Sequence, residues 1–363
     1  MVRNVSFVSV IAVVLAACAN VPEPAISKAP VPVVAVAAVA NAPTEAAPAS
    51  CDEQSAPVAA QNVPLLAAPA VVSAPDKPAD VGPSCNGNSG ATNDCQGHSC
   101  CDRLGVPGGV VAYRRDGNAP AESRVVKPFV LDKFEVTVGR FRAWVDAGQP
   151  TPKPGDVLFD DQSGHNVRWT KEAKVQDAKH LAGWKRYDTW TAGVDTRPKN
   201  FVSWYTAAAF CAWDGGRLPT DVEWMYVARG GEEDRPYPWG SDAATPEHAV
   251  FNCMGDGTAA CALQDILPVG SRPKGVGRWG HFDLAGSMFE WTLQGAVAAS
   301  THGEPVEKAR GGGFCYIGGV DRRATTELRP TVFRQESPET VSHMTGFRCA
   351  YDLPSKQPAV ASR

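Results

Sequence analysis

The segment 200–231 constrains the fold more than any other part of this sequence, because it contains the local signals of two short helices joined by a tight turn. Ser203 is a favoured N-cap, and the Ala-rich run 206–212 that follows it favours helix. Gly215 and Gly216 come directly after this run and are expected to supply the left-handed positions that end the helix. The segment therefore predicts a first helix that begins after Ser203.

The second helix is predicted from the spacing of Thr220 and Glu223, which is that of a capping box. In this motif the Thr hydroxyl accepts from the amide three residues later, while the Glu carboxylate accepts from the cap amide. The helix is expected to begin at Asp221 and to stop at Gly230 and Gly231. Pairs of well-capped helices occur in many folds, so these signals alone leave the fold open.

Five segments in a consistent order resemble the formylglycine-generating enzyme, or sulfatase-modifying factor, family. They are Phe134-Glu135-Val136-Thr137 with Phe141, the helical segment from Asn200 to Trp224 with Pro238-Trp239-Gly240, Gly280 to Gly286 with Glu290-Trp291, Arg310 to Phe314, and Gly346-Phe347-Arg348-Cys349-Ala350. The resemblance covers residues 106–352. It implies a compact α+β domain, related to C-type lectins, with little regular secondary structure.

The N-terminus has the pattern of a lipoprotein signal peptide over residues 1–17. A basic start and a short apolar core, too short to span a bilayer in the mature protein, precede Cys18. We expect acylation of Cys18, and because Ala19 rather than Asp follows it, we expect an outer-membrane or cell-surface location in a Gram-negative bacterium. An ordinary secretory signal with an incidental cysteine is the alternative.

The rest of the chain divides by composition into four parts. Residues 18–83 are dominated by Ala, Pro and Val and are expected to form an extended disordered tether. A cysteine-rich entrance (84–105), the sulfatase-modifying factor domain (106–352) and a flexible tail (353–363) follow. An insertion relative to the family is expected at 150–196, where no clear hydrophobic periodicity occurs.

Charge and motifs exclude several classes of function. The 35 basic and 39 acidic residues give a net charge of −4 without long runs of either sign, which argues against a nucleic-acid surface. The sequence has no P-loop, Rossmann fingerprint or zinc spacing. The partners that we expect are a membrane, through the N-terminal lipid, and an unknown protein or glycan ligand.

The chain has 11 cysteines, and setting aside Cys18 leaves an even number, as expected for disulfides in an exported protein. A cluster just before the domain is expected to form a small disulfide knot whose connectivity stays open; its members are Cys85, Cys95, Cys100 and Cys101. Zinc binding by this cluster with His98 is the alternative. Cys253 and Cys261 flank a short loop, which favours a local bridge.

The family resemblance implies a further pair, Cys211 with Cys349. A bridge that closes a loop of this length contributes on the order of 4 kcal/mol by chain-entropy arguments. Cys51 and Cys315 have no partner that we can assign.

The resembled enzymes oxidise a sulfatase cysteine to formylglycine with a copper ion held by two cysteines, and soft thiolates are the ligands that Cu(I) prefers. When the family motif is counted from Phe314, the two copper positions hold Tyr316 and Asp321. Cys315 lies one residue from the first position, and in an extended segment such a shift turns the side chain to the opposite face. Copper binding is therefore not expected. The resulting degenerate site, here called the Gly313 pocket, comprises Gly313, Cys315, Tyr316, Asp321 and Arg323.

The resemblance also implies a structural calcium site made from the Asp283 and Glu290 carboxylates and the main-chain carbonyls of Gly286 and Met288. An oxygen-only ligand set is the one that a hard cation prefers. Asp283 stands where the family usually has Asn, which adds negative charge.

Two functions of different classes follow from these observations. The first is a non-catalytic, calcium-stabilised binding or scaffold module that uses the Gly313 pocket for a ligand. The second is an oxidoreductase of the same family with altered metal ligands, for which iron is left open. The sequence alone does not decide whether the protein is an enzyme.

Overall fold

The computed structural model describes residues 82–86, 94–113, 121–160, 166–171, 173, 175, 185–191, 193–258, 261–294, 298–299, 305–313 and 328–353, with only the backbone of 298–299 and 305–308. Several predicted features lie outside these ranges. They are the signal peptide with Cys18, nearly all of the tether with Cys51, most of the tail, and Cys315, Tyr316, Asp321 and Arg323. Within the described ranges, none of the helices has the length and apolar character needed to cross a bilayer.

The α-helices are α1 Val138–Asp146, α2 Trp204–Trp213 and α3 Asp221–Ala228. The predicted caps are confirmed, since Ser203 accepts from the Thr206 amide and Thr220 forms the complete capping box with Glu223. The predicted role of Gly216 is wrong, because only Gly215 of the two has a left-handed φ, of +82°. Gly216 is required for another reason: a Cβ there would lie 2.5 Å from the Ala350 carbonyl oxygen.

The strands are short. They are β1 Arg103–Val106, β2 Gly109–Tyr113, β3 Glu122–Val126, β4 Phe129–Asp132, β5 Val157–Asp160, β6 Asn166–Arg168, β7 Phe289–Trp291, β8 Ala298–Ala299, β9 Pro305–Arg310, β10 Phe333–Glu336, β11 Thr345–Gly346 and β12 Ala350–Asp352. This mixture of a few helices and short strands is the α+β architecture with little regular secondary structure that was predicted.

Among the described residues, the strands form two sheets and two separate hairpins. One sheet has the order β1-β4-β12 and is antiparallel. The other has the order β10-β9-β7-β11, with β8 paired to β9, and its β7 and β11 run parallel with Gly346 opposite Glu290. Strands β2 and β3 form one hairpin, and β5 and β6 form another within the segment 150–196. The parallel pairing brings the Gly346–Ala350 motif next to β7.

Aromatic side chains fill the core between these elements. The larger cluster packs α1 and α2 against the second sheet and includes the buried Trp144, Phe210 and Trp291. A second cluster packs α3 against the first sheet and contains the buried Trp224. These three tryptophans belong to the core, whereas Trp213, Trp239 and Trp279 are partly exposed.

Four disulfides lie in the described residues, including both expected pairs. Cys211–Cys349 joins α2 to the residue before β12 across 138 positions, and Cys253–Cys261 closes a local loop. The four clustered cysteines pair as Cys85–Cys101 and Cys95–Cys100. Because all four sulfurs are bridged, they are not available as zinc thiolates, and the Nδ1 atom of His98 lies 2.9 Å from Lys133 Nζ.

Candidate functional site

Glu290 lies at the centre of a buried polar cluster on β7. Its carboxylate accepts two hydrogen bonds from Arg348, Nε to Oε2 and Nη2 to Oε1, both 2.6 Å long. Trp224 donates a third from Nε1 to Oε2 over 2.9 Å. Arg348 also donates to the main-chain carbonyls of Lys133 and Phe282. This bidentate pair therefore ties β7, β11 and the loop after β4 together.

A second carboxylate, Glu135, is fully buried beside this pair. It accepts from the Ser287 hydroxyl and from the Met288 amide, both at 2.9 Å. Desolvation, followed by the charges of Asp283 and Glu290, holds its pKa well above the usual range. Glu135 belongs to a family motif for which no role was predicted, and its only sequence signal is that it is an acidic residue between the apolar Phe134 and Val136.

Asp283 completes the group of acids. Its backbone is left-handed, with φ of +57°, and its Oδ2 accepts from the Gly270 amide at 2.6 Å. Burial, together with the charge of Glu290, raises its pKa to about 6 despite the opposing effects of the Gly270 hydrogen bond and of Arg348. The structure thus brings Asp283 and Glu290 into one electrostatic cluster, with Gly286 and Met288 on the turn between them.

The charges of this cluster fit a hard cation. Three carboxylates, Glu135, Asp283 and Glu290, share the charge of Arg348, and Arg272 also acts on Asp283, so the ionised cluster still carries more negative than positive charge. Three of the four lone-pair sites of Glu290 have donors, which leaves one acceptor position. No group of three or more His, Cys, Asp or Glu side chains with metal-binding geometry occurs in the described residues. The predicted calcium site would therefore need main-chain oxygens as well.

Only Gly313 of the five residues in the Gly313 pocket is described. A Cβ at this position would lie 3.1 Å from Met344 Cβ and 3.3 Å from Phe289 Cδ2. The preceding Gly311 and Gly312 both have positive φ, of +98° and +75°. Gly313 therefore ends a glycine turn that is packed against Phe289 of β7 and against Met344, which precedes β11.

Next to Met344, His343 packs between aromatic rings. Its imidazole stacks on Tyr187 with centroids 5.2 Å apart and lies 6.3 Å from the ring of Phe201. Desolvation, followed by the charges of Arg334 and Arg186, lowers its pKa to about 4. His343 is therefore a neutral imidazole at pH 7. His343, Tyr187 and Phe201 had no sequence signal in common, since they come from distant segments.

A model of the sulfatase-modifying factor enzyme 1-like domain matches residues 89–353. The inactive C-alpha-formylglycine-generating enzyme 2 of Mus musculus is 31% identical over 255 residues, which cover 65% of this chain and 79% of that protein. The formylglycine-generating enzyme of Streptomyces coelicolor is 30% identical over 291 residues, covering 68% and 88%. The hercynine oxygenase of Mycolicibacterium thermoresistibile is 27% identical over 275 residues, covering 69% and 56%.

Proposed function

Because this chain belongs to the sulfatase-modifying factor family, we propose that it is a non-catalytic member, a lipid-anchored and calcium-stabilised module that binds a ligand at the cell envelope. The ligand site is the Gly313 pocket. The protein uses the fold of the family for recognition, without the oxidation of a sulfatase cysteine.

The observation that carries this proposal is that the two copper ligands of the family are replaced in this chain, whereas bonds that support the fold are present. The copper positions hold Tyr316 and Asp321, and a phenol and a carboxylate do not replace two thiolates for Cu(I). By contrast, the described residues keep the Cys211–Cys349 bridge and the bidentate Glu290–Arg348 pair. One similar relative, moreover, is itself named an inactive formylglycine-generating enzyme.

The calcium part of the proposal is supported by the excess charge around Glu135, Asp283 and Glu290. A divalent cation bound there would compensate the buried carboxylates and pin the turn 283–290. Asp283 and Glu290 would hold it with the carbonyls of Gly286 and Met288. Its role is structural.

Metal analysis combined with a paired thiol restoration tests the absence of catalysis. We expect the purified wild-type protein to contain no stoichiometric copper and to consume no oxygen with a cysteine-containing sulfatase peptide. The double variant Tyr316→Cys with Asp321→Cys should bind Cu(I), because it restores the ligand type that Cu(I) prefers. Cys315→Ser in the wild-type background should change neither result. Stoichiometric copper and peptide aldehyde in the wild-type protein would disprove the proposal.

The second candidate is an iron-dependent oxidoreductase, favoured by the similarity to a hercynine oxygenase. Oxygen and nitrogen ligands suit a non-haem iron centre. The same purified protein, loaded anaerobically with Fe(II), decides between the two functions. Stoichiometric iron together with oxygen consumption would favour the oxygenase, and binding of calcium alone would favour the module.

Lipid attachment is tested separately from the pocket. Acylation of Cys18 would keep the mature protein with the membrane fraction of a Gram-negative host, and Cys18→Ser would release it or block its processing. An unchanged distribution of the Cys18→Ser variant would contradict the lipid anchor while leaving the binding function intact.

A further inference from the structure

Two arginines lie over aromatic rings that belong to the packing around Gly313. The Cζ atom of Arg186 is 4.8 Å from the ring centroid of Tyr187, and that of Arg334 is 4.4 Å from the ring centroid of Phe289. Arg186 belongs to the 3-10 turn Lys185–Tyr187, and Arg334 belongs to β10. The fold thus brings together two cationic groups that are far apart in the sequence.

The supporting rings connect both arginines to Gly313. Tyr187 stacks on His343, which is followed by Met344, and Met344 contacts Gly313. Phe289, which carries Arg334, contacts the same glycine. Besides burial, the charges of both arginines lower the pKa of the His343 imidazole.

The two arginines differ from the other arginines of the described chain that lie over aromatic rings, because neither has a carboxylate partner among the described residues. The seven others form ion pairs: Arg103 with Asp214, Arg124 with Glu122, Arg140 with Asp132, Arg142 with Asp195, Arg217 with Glu223, Arg278 with Glu233 and Arg310 with Asp221. Asp188, two residues after Arg186, instead accepts from the Trp190 amide at 3.0 Å.

Such uncompensated charge is favourable for one class of ligand. A guanidinium that lies over a ring without a carboxylate partner can still donate its N–H groups, and these match the oxygens of a carboxylate, sulfate or phosphate. His343 adds no positive charge at neutral pH, since burial and the same two arginines keep it neutral. The net charge of the whole chain is −4, so this local cationic pair is not a consequence of composition.

We propose that Arg186 and Arg334 form an oxyanion-binding site beside Gly313, and that the ligand of this protein carries a sulfate, phosphate or carboxylate group there. This inference rests on the proposed ligand-binding function and specifies the chemistry of its ligand.

The test measures binding of inorganic sulfate and of inorganic phosphate to the full mature protein by calorimetry, at constant ionic strength set with chloride. We expect saturable binding to the wild-type protein and at least about tenfold weaker binding to Arg186→Gln and to Arg334→Gln, since each removes a charge-assisted donor pair. Arg334→Lys keeps the charge without the planar fork and should retain part of the affinity.

The matched control is Arg278→Gln. Arg278 also lies over a ring, 5.3 Å from that of Trp279, but it is paired with Glu233 at 3.2 Å, so its loss should leave binding unchanged. Circular dichroism verifies that all variants are folded. Equal binding by the wild-type protein, Arg186→Gln and Arg334→Gln would overturn the site, as would equal weakening in Arg278→Gln.

A competition experiment identifies the source of the oxyanion. Displacement of sulfate by an acidic peptide, but not by its amidated neutral analogue, would indicate a protein ligand; retention of sulfate would indicate a free small molecule, and both results support the site. The outcome is separable from the proposed function. Copper with peptide aldehyde would disprove the non-catalytic module without affecting sulfate binding, whereas loss of sulfate binding would leave the metal analysis unchanged.

Discussion

At the scale of single residues, buried arginines organise the polar interior. Arg140 has no exposed surface and donates to Asp132 at 2.9 Å, to Asp214 at 2.7 Å and to Ser84 at 3.1 Å. Asp214 also accepts from Arg103 and from the Ser84 amide. This network therefore fastens the cysteine-rich entrance to α1 and to the end of α2.

Arg140→Met tests the energetic weight of this network. The substitution leaves buried carboxylates with fewer donors, so we expect a loss of about 3 kcal/mol in the free energy of unfolding, measured by urea denaturation. Arg124→Met is the matched control, because Arg124 pairs with Glu122 at 2.7 Å on an exposed hairpin. Loss of this exposed ion pair should lower the free energy of unfolding by less than about 1 kcal/mol. Equal effects of the two substitutions would contradict a structural role for the buried network.

His343 predicts a pH dependence of stability. Its pKa is about 4 in the folded protein against an ordinary value of 6.5, so between these values the unfolded chain binds a proton that the folded protein does not. The free energy of unfolding should therefore fall as the pH decreases from 6.5 to 4, by at most about 3 kcal/mol from this residue. His343→Gln should make this slope shallower in urea titrations at several pH values. An unchanged slope would show that His343 does not remain neutral.

The residue scale also shows what could be predicted from the sequence. Glu290 and Arg348 were visible because each belongs to a family motif, but their bidentate contact spans 58 positions and required the parallel pairing of β7 and β11. Glu135 belongs to a family motif, but its place in the buried acidic cluster could not be predicted from that motif. Arg186, Arg334 and His343 carried no local signal, since their proximity arises only from tertiary packing.

At the scale of secondary-structure elements, helix caps determine where the short helices begin. In α3 the Thr220 hydroxyl accepts from the Glu223 amide at 3.1 Å, and the Glu223 carboxylate accepts from the Thr220 amide at 2.8 Å. Arg217 holds the same Glu223 carboxylate with two further bonds, of 2.7 and 2.8 Å. The capping box is therefore fixed by its surroundings as well as by its own residues.

Thr220→Ala should lower the free energy of unfolding by about 1 kcal/mol, and by up to about 2 kcal/mol, because it removes the acceptor for the N3 amide of a partly buried helix end. Thr151→Ala removes an exposed hydroxyl outside any helix and provides the control. Urea denaturation of the two variants gives the comparison. A difference below about 0.5 kcal/mol would mean that Glu223 and Arg217 alone fix the start of α3.

The helices could be predicted because caps and glycine turns are local signals, whereas the strands could not. Strands such as β7, β11 and β12 have two or three residues, too few to show an alternating pattern. The two glycines after α2 also have different structural roles. Gly216 is needed for close approach to β12 rather than for a left-handed backbone, and residue type alone does not separate these two roles.

At the scale of the whole molecule, disulfides fasten elements that have little secondary structure of their own. Cys211–Cys349 closes a loop of 138 positions, and Cys253–Cys261 closes one of 8. By chain-entropy arguments the long loop contributes about 5 kcal/mol and the short one about 2.5 kcal/mol. We therefore compare two double variants by urea denaturation, Cys211→Ala with Cys349→Ala and Cys253→Ala with Cys261→Ala. The variant without the long bridge should have the lower free energy of unfolding. The reverse order would show that strain or denatured-state structure outweighs loop entropy.

Calcium dependence of stability is the prediction that tests the buried acidic cluster as a whole. If the cation binds only the folded protein, saturating calcium should raise the free energy of unfolding by about 2.7 kcal/mol at a hundredfold excess over Kd. Removal with a chelator should reverse the effect, and magnesium should replace calcium poorly, because its smaller shell demands near-octahedral geometry.

Two substitutions at Asp283 make this prediction specific to the site. Asp283→Asn keeps a side-chain oxygen and should retain part of the calcium effect, whereas Asp283→Ala removes the oxygen and should abolish it. The Gly270 amide, which donates to Asp283 at 2.6 Å, loses its acceptor only in the Ala variant, so a loss of stability without calcium is also expected there. The calcium-dependent difference in the free energy of unfolding is therefore the quantity to compare. An equal difference in the wild-type protein and Asp283→Ala would place the cation elsewhere, and the absence of any difference in the wild-type protein would contradict the calcium site itself.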